Sequence, residues 1–346
     1  MNRMEEKDYP VISVVVPIRN EEETIVRVLD QILEQDYPTD KFEIIVVDGE
    51  SDDGSAALVG ELAKKDNRVR LISNPRRLAS AGRNIGAREA AGEIITFIDG
   101  HTYIDNRRLL RNVAEYMSSK KLDVLSRPQF LETPYNDFFQ KCVSVARRSI
   151  IGHGLDSTIF TTRDMEVEPT SAGASYKRQV FEKIGYFDER FDACEDVDFN
   201  YRAHRADYKS YTSMALAVYY EPRKTLSGLF RQMKRYGTGR FRLASKHLAL
   251  LSAGTLAPVM LILAIPLLIL LSFFRGDFLY PLVILLGLYL ALIVFWSVGP
   301  AIRHGPKYLL VLPFVYMAIH FGLGWGFVSE CFRSMIGRGV SFRKKS

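Results

Sequence analysis

The chain has 346 residues, of which 47% are hydrophobic, with 46 lysines and arginines against 40 acids for a formal net charge of +6. That length suits one large catalytic domain with an appendage rather than one small domain. Three widely spaced cysteines, Cys142, Cys194 and Cys331, form no CxxC pair, which argues against a zinc site or a disulfide framework and fits a reducing compartment.

The residues from Met1 to Tyr9 are charged. Val11–Val16 is too short for a signal-peptide core and runs into Pro17 and charges, so the catalytic part is expected to stay in the cytosol. The same run is β-branched, as a buried parallel strand requires. Asn20 is placed to cap a helix with Glu21, Glu22 and Glu23 in its first turn and Ile25, Val28, Leu29 and Ile32 at helical spacing. Residues 44–47 read as a second strand ended by Asp48, 54–65 as a second helix, and 69–73 as a third strand. A small-residue helix over 78–91 and a strand over 94–98, ended by Asp99, follow. This alternation predicts an α/β fold with a mostly parallel, doubly wound sheet, which binds ligands at the carboxyl ends of its strands. One strand-end acid is an ordinary turn residue; Asp48 and Asp99 at equivalent places favour a shared site. Between 105 and 220 the pattern is less regular, with helices expected over 138–151 and 194–205 and an aromatic loop over 185–191.

Almost all acids precede Glu221. The stretch from Arg223 to His247 is densely basic with interspersed apolar residues, as an interfacial amphipathic helix on anionic lipid should be. Residues 248–274 and 278–302 carry no charge between their basic or acidic flanks and are long enough to cross a bilayer, which makes nucleic acid a poor partner for the basic stretch before them. A third segment, 308–329, lacks formal charge but contains Pro313, His320, Gly322, Gly324 and Gly326. Arg303 and Lys307, and the tail with Arg333, Arg338, Arg343, Lys344 and Lys345, favour the cytoplasmic side. Two crossings and a re-entrant or interfacial third segment satisfy both. The expected division is a catalytic domain over 1–220, an interfacial region over 221–247 and a membrane region over 248–346.

Several motifs lie on this frame. Val16-Pro17-Ile18-Arg19-Asn20-Glu21-Glu22, the loop from Val47-Asp48-Gly49 to Ser55, and Ala81-Gly82-Arg83-Asn84-Ile85-Gly86 followed by Ala91-Gly92-Glu93 resemble, in order, the opening of family-two glycosyltransferases of the GT-A fold. The resemblance implies that Pro17, Arg19, Glu21 and Asp48 contact the nucleoside and Arg83 the donor side of the pocket. Asp99-Gly100-His101 resembles the family's Asp-x-Asp cation motif with His101 in the last place, as in the succinoglycan-type, exopolysaccharide branch. Imidazole suits manganese better than magnesium, so a divalent cation, Mn2+ or Mg2+, is expected on Asp99 and His101, neutralising the leaving diphosphate. Glu195-Asp196-Val197-Asp198 resembles the second acidic motif, whose Asp is the general base. That role falls to Asp196, with Glu195 raising its pKa by like-charge repulsion. Asp198 reads as a helix-start acid or a partner of Arg202. Ser171-Ala172-Gly173-Ala174 resembles a small-residue acceptor segment, with Gly173 letting the acceptor approach the backbone. Gln232-Met233-Lys234-Arg235-Tyr236 resembles the Gln-x-x-Arg-Trp motif of processive members, which implies Gln232 near the acceptor, Arg235 on diphosphate and Tyr236 against a sugar. Tyr in place of Trp, and so few apolar segments, argue against processive polymerisation.

The resulting expectation is a membrane-bound, metal-dependent, inverting glycosyltransferase of hexosyltransferase type. It would be multi-pass in the cytoplasmic membrane, its catalytic domain facing the cytosol. It would move a sugar from a nucleotide-sugar donor, UDP-linked in most of the family, to a lipid-linked or polysaccharide acceptor. The alternatives are a polyprenyl-monophosphate sugar synthase, a non-catalytic membrane scaffold that keeps the fold, and a nucleotidyltransferase. The last would want a basic, glycine-rich loop where Pro17–Glu23 is acidic.

Overall fold

The computed structural model describes residues 8–132, 137–153, 159–171, 173–340 and 342; the expectations for Met1–Lys7, Ala172, Arg343, Lys344 and Lys345 lie outside them. The chain forms two units, Met1–Leu131 with Ser157–Glu221, and Glu132–Asp156 with Pro222–Ser346.

The first unit runs β1 (Ile12–Ile18), α1 (Ile25–Leu33), β2 (Phe42–Asp48), α2 (Ser55–Lys65), β3 (Val69–Ser73), α3 (Ala79–Glu89), β4 (Ile94–Phe97), β5 (Thr102–Tyr103), α4 (Leu109–Ser119), β6 (Val124–Ser126) and β7 (Gln129–Leu131). Helices α5 (Phe138–Arg147) and α6 (Ile150–His153) interrupt it in sequence and belong to the second unit. It resumes with β8 (Met165–Val167), β9 (Gly173–Lys177), α7 (Arg178–Ile184), α8 (Glu195–Arg205), β10 (Ser210–Thr212) and β11 (Val218–Tyr220). Among the described residues a six-stranded sheet has the order β3-β2-β1-β4-β9-β6, with β1 to β4 parallel and β9 antiparallel to both its neighbours.

Successive side chains of a strand face opposite sides, and the sequence uses both. Val14 and Val16 join Ile44, Val46 and the Ile25, Val28, Leu29 and Ile32 face of α1 in one core. Val15 joins Ile45, Val47, Phe181 and Phe199 in the other. That is why these strands read as unbroken apolar runs.

One local expectation is corrected. Asn20 does not cap α1, which begins at Ile25 after Thr24. Asn20 takes a left-handed conformation (φ 58°), which asparagine tolerates. Its amide N–H donates to Ser51 Oγ and its side-chain oxygen accepts from the Asp52 N–H, tying the β1 loop to the β2 loop.

The second unit holds α5, α6, α9 (Leu226–Lys246), α10 (Ala253–Phe274), α11 (Leu279–His304) and α12 (Lys307–Met335). Among the described residues three helices, α10, α11 and α12, are long and apolar enough to cross a membrane. Only 11% of the most apolar stretch of α10, and 11% of that of α11, is buried, against 50% for α12. The third apolar segment, expected to be re-entrant or interfacial, is one continuous helix through Pro313 and its glycines, without the break a re-entrant segment would need. Those glycines are contact points. A Cβ on Gly326 would stand 1.9 Å from the Lys234 carbonyl oxygen, and one on Gly237 would stand 2.0 Å from that of Leu323. Small residues of this kind let helix backbones touch. Further along the pair, Arg242 Nε lies 2.8 Å from the buried Glu330 carboxylate.

Candidate active site

The site lies at the carboxyl ends of β2, β1 and β4. Register pairs Ile18 with Asp48 and Val15 with Phe97, so the residues just past these strands converge. Gly82 and Gly86, one helical turn apart on α3, bring that helix onto β1: a Cβ on Gly86 would stand 2.2 Å from Val15 Cγ1, and one on Gly82 3.3 Å from Pro17 Cβ. This approach carries Arg83 over the end of β4. Asn84 then anchors the aromatic loop before α8, its Nδ2 donating to the Phe187 carbonyl at 2.9 Å and its Oδ1 accepting from the Phe187 N–H at 2.9 Å. The loop delivers Cys194, left-handed at φ 66°, and α8 starts at Glu195.

Arg83 therefore joins the two acidic motifs. Its Nη2 lies 2.8 Å from Asp99 Oδ1, and its Nη1 pairs with Glu195 Oε1. The other oxygen of Asp99 accepts from the Tyr220 hydroxyl at 3.1 Å. Burial alone would push the Asp99 carboxyl up, but Arg83, His101 and the Tyr220 hydrogen bond outweigh it and hold the group ionised. Burial likewise opposes the charge on Arg83, yet the negative charges of Asp99, Glu195 and Asp196 raise its pKa and keep it protonated. Tyr220 is pushed up by burial and by Asp99, so it remains a donor.

His101 Nδ1 lies 2.9 Å from Glu21 Oε1, and its ring meets that of Tyr220 edge-on with centroids 5.8 Å apart. A carboxylate that fixes an imidazole through one nitrogen is the usual support of a metal-binding histidine. Among the described residues no three His, Cys, Asp or Glu side chains gather into a complete metal cage. The carboxylate of Asp99 and the imidazole of His101 are of the donor types a divalent cation takes.

The other expected residues fall as follows. Arg19 is exposed and Pro17 half-buried beside Gly82. Asp48 is buried and accepts from the Ser51 hydroxyl at 2.5 Å, so it also organises its own turn. Asp196 is half-buried, its Oδ1 accepting from the Val197 N–H at 2.9 Å. Asp198 is fully buried and pairs with Arg202 at 3.1 Å. The space beside Gly173 is taken by Asn200, whose Oδ1 a Cβ there would meet at 2.4 Å. Gln232, Arg235 and Tyr236 stand on α9 of the second unit, with the Arg147 guanidinium 5.5 Å from the Tyr236 ring centroid.

The sequence profile of glycosyl transferase family 2 matches residues 13–185, which hold β1, the Asp48 loop, Arg83 and Asp99. The chain belongs to glycosyl transferase family 2. This glycosyltransferase is 28% identical over 251 residues, 71% of its length and 74% of the other's, to the succinoglycan biosynthesis protein ExoA of Rhizobium meliloti. It is 24% identical, over 66% of its length and 72% of the other's, to a dolichyl N-acetyl-glucosaminyl phosphate diacetamido-dideoxy-glucuronosyltransferase of Methanococcus voltae. Its fold is that of the mannosyltransferase of Pyrobaculum calidifontis, solved with GDP-Man and Mn2+, at a TM-score of 0.57, 22% identity and coverage of 93% and 89% of the two chains.

Two residues beside the candidate site escape the sequence reading. Tyr220 reaches Asp99 because β11 pairs with β5, Tyr220 opposite Thr102. Arg127 lies just past β6, its Nη2 donating to the Phe97 carbonyl, and is 4% exposed. Neither stands in a motif.

Proposed function

We propose that this family 2 enzyme is a membrane-anchored, inverting, metal-dependent transferase that moves a sugar from a nucleoside-diphosphate donor, UDP-linked in our reading, to a lipid-linked or polysaccharide acceptor. The observation that carries the reading is the joining of Asp99 and Glu195 through Arg83 at the carboxyl ends of the parallel strands. Pro17, Arg19 and Asp48 line the side of the site where the nucleoside would bind. Asp99 and His101 would hold a divalent cation, Mn2+ or Mg2+, which supplies neutralisation of the diphosphate's charge. Glu21 orients His101 rather than touching the base. Glu195, engaged by Arg83, fixes the start of α8. Asp196, next in sequence and not bound to Arg83 by hydrogen bond, is the carboxylate that takes the proton of an acceptor hydroxyl.

The test is nucleotide release by the full chain in detergent from UDP- and GDP-sugars with Mn2+, Mg2+ or EDTA. Release from one donor, abolished by EDTA and lowered on the order of a hundredfold by Asp99→Ala, is expected. Equal release by Asp99→Ala would refute the assignment.

For the membrane unit we propose two crossings, α10 and α11, with the catalytic unit and the tail in the cytosol. The support is the pairing of α12 from Gly322 to Glu330 with the basic α9, whose Arg231, Lys234 and Arg235 are exposed. Charges of that density do not enter hydrocarbon. The part of α12 before Gly322, about 15 residues or roughly 22 Å, is shorter than a core of about 30 Å. A cysteine placed beside Lys345 should be unreactive to impermeant reagents in intact cells; labelling there from outside would make α12 a third crossing.

A further inference from the structure

Arg127 follows β6, which runs parallel to β4 on the far side of β9. Its side chain turns back under the site, and Nη2 donates to the carbonyl of Phe97, two residues before Asp99. It is 4% exposed, and both Nε and Nη1 are buried with no hydrogen-bond partner among the described residues. No other described side chain leaves two such atoms. Among the described residues no carboxylate forms an ion pair with it; Asp99 is held by Arg83 and Tyr220, and Glu195 by Arg83.

A buried guanidinium kept only for support has its donors satisfied by the protein, and a single bond to one carbonyl does not call for arginine. Unfilled donors in a charged site mark the place of a ligand's acceptors. The acceptor a guanidinium selects is an oxyanion, phosphate above all. Arg83 turns Nη1 and Nη2 to two carboxylates, whereas Arg127, whose charge also helps hold down the Asp99 carboxyl, keeps Nε and Nη1 unfilled.

We infer that Arg127 binds the diphosphate of the nucleotide-sugar donor, its Nε and Nη1 meeting phosphate oxygens as the donor enters next to Asp99. This rests on the donor-site reading above. It adds a cationic ligand that belongs to the protein and is present without metal.

Calorimetric titration of the full chain in detergent tests it, using UDP, UMP, GDP and GMP in EDTA and again with Mn2+, on the unaltered protein, Arg127→Gln and Arg127→Lys. Arg127→Gln should weaken the diphosphate on the order of tenfold or more in EDTA, the worth of a charge-assisted hydrogen bond, while the monophosphate affinity stays unchanged. Arg127→Lys should recover part of the difference, since lysine keeps a point charge. An unchanged ratio of diphosphate to monophosphate affinity in Arg127→Gln overturns the inference. So does an equal loss of both nucleotides in both variants, which would mark a structural role. Absence of all nucleotide binding in the unaltered protein would instead overturn the donor-site reading, and this inference with it.

Discussion

In the catalytic unit, Gly82 and Gly86 let α3 settle on β1 and carry Arg83 to Asp99 and Glu195. In the helical unit, Gly237, Gly322 and Gly326 let α9 and α12 touch along their backbones, with Arg242 on Glu330 further along. Both use glycine for close approach and both bury a charge. The first gathers one cation and two acids at the carboxyl ends of the parallel strands, in the candidate site. The second closes one cation on one acid along two helices whose outward face carries the basic residues. The lesson is that a buried ion pair has to be read with the elements that bring it there.

The largest expected effect breaks the first arrangement. Arg83→Met leaves the buried Glu195 and the half-buried Asp99 without the cation that joins them and should destabilise the catalytic unit by about 2–4 kcal/mol, read by chemical unfolding. A loss below about 1 kcal/mol would show that water already screens the cluster.

The next effect concerns the helical unit. Gly326→Ala places a methyl against the Lys234 carbonyl and should cost about 1–3 kcal/mol. Gly287→Ala, on α11 with nothing within 4 Å of the added carbon, should be neutral or stabilise by up to about 1 kcal/mol. Thermal melts in detergent that rank the two the other way would remove glycine contact as the reason for the α9–α12 pairing.

The smallest effect separates buried from peripheral charge. The Asp66 carboxyl is held below its usual range, chiefly by hydrogen bonds from the Arg68 side chain 2.6 Å away. A depressed carboxyl contributes stability above its unfolded value, near pH ~3.9, and loses it as pH falls further. Asp66→Asn should therefore cost under about 1 kcal/mol at neutral pH, and the two proteins should converge in acid. A difference that grew on acidification would contradict the sign.

Much of this was legible in the sequence. Unbroken β-branched runs such as Val14–Val16 are what a strand covered on both faces needs, and the strand ends place Asp48 and Asp99 without reference to any other part of the chain. Tyr220 and Arg127 were not legible, because their positions follow from β11 meeting β5 and β6 meeting β9, pairings between distant segments. What the glycines of α12 are for was not legible for a related reason: a local window records the absence of a side chain but not the neighbouring helix that requires it. The same holds for α5, which reads as part of the catalytic stretch and packs with the helical unit.

The central claim is that Asp196 takes the acceptor's proton at a donor site built on Asp99. Sugar transfer to a lipid-linked hydroxyl acceptor, measured beside donor binding for Asp196→Asn and the unaltered protein, tests it most directly. Unchanged donor affinity is expected, with transfer lowered by a factor of about 10²–10⁴. Transfer by Asp196→Asn at the unaltered rate would contradict it, and would favour an acceptor that has no hydroxyl to deprotonate, such as a lipid phosphate.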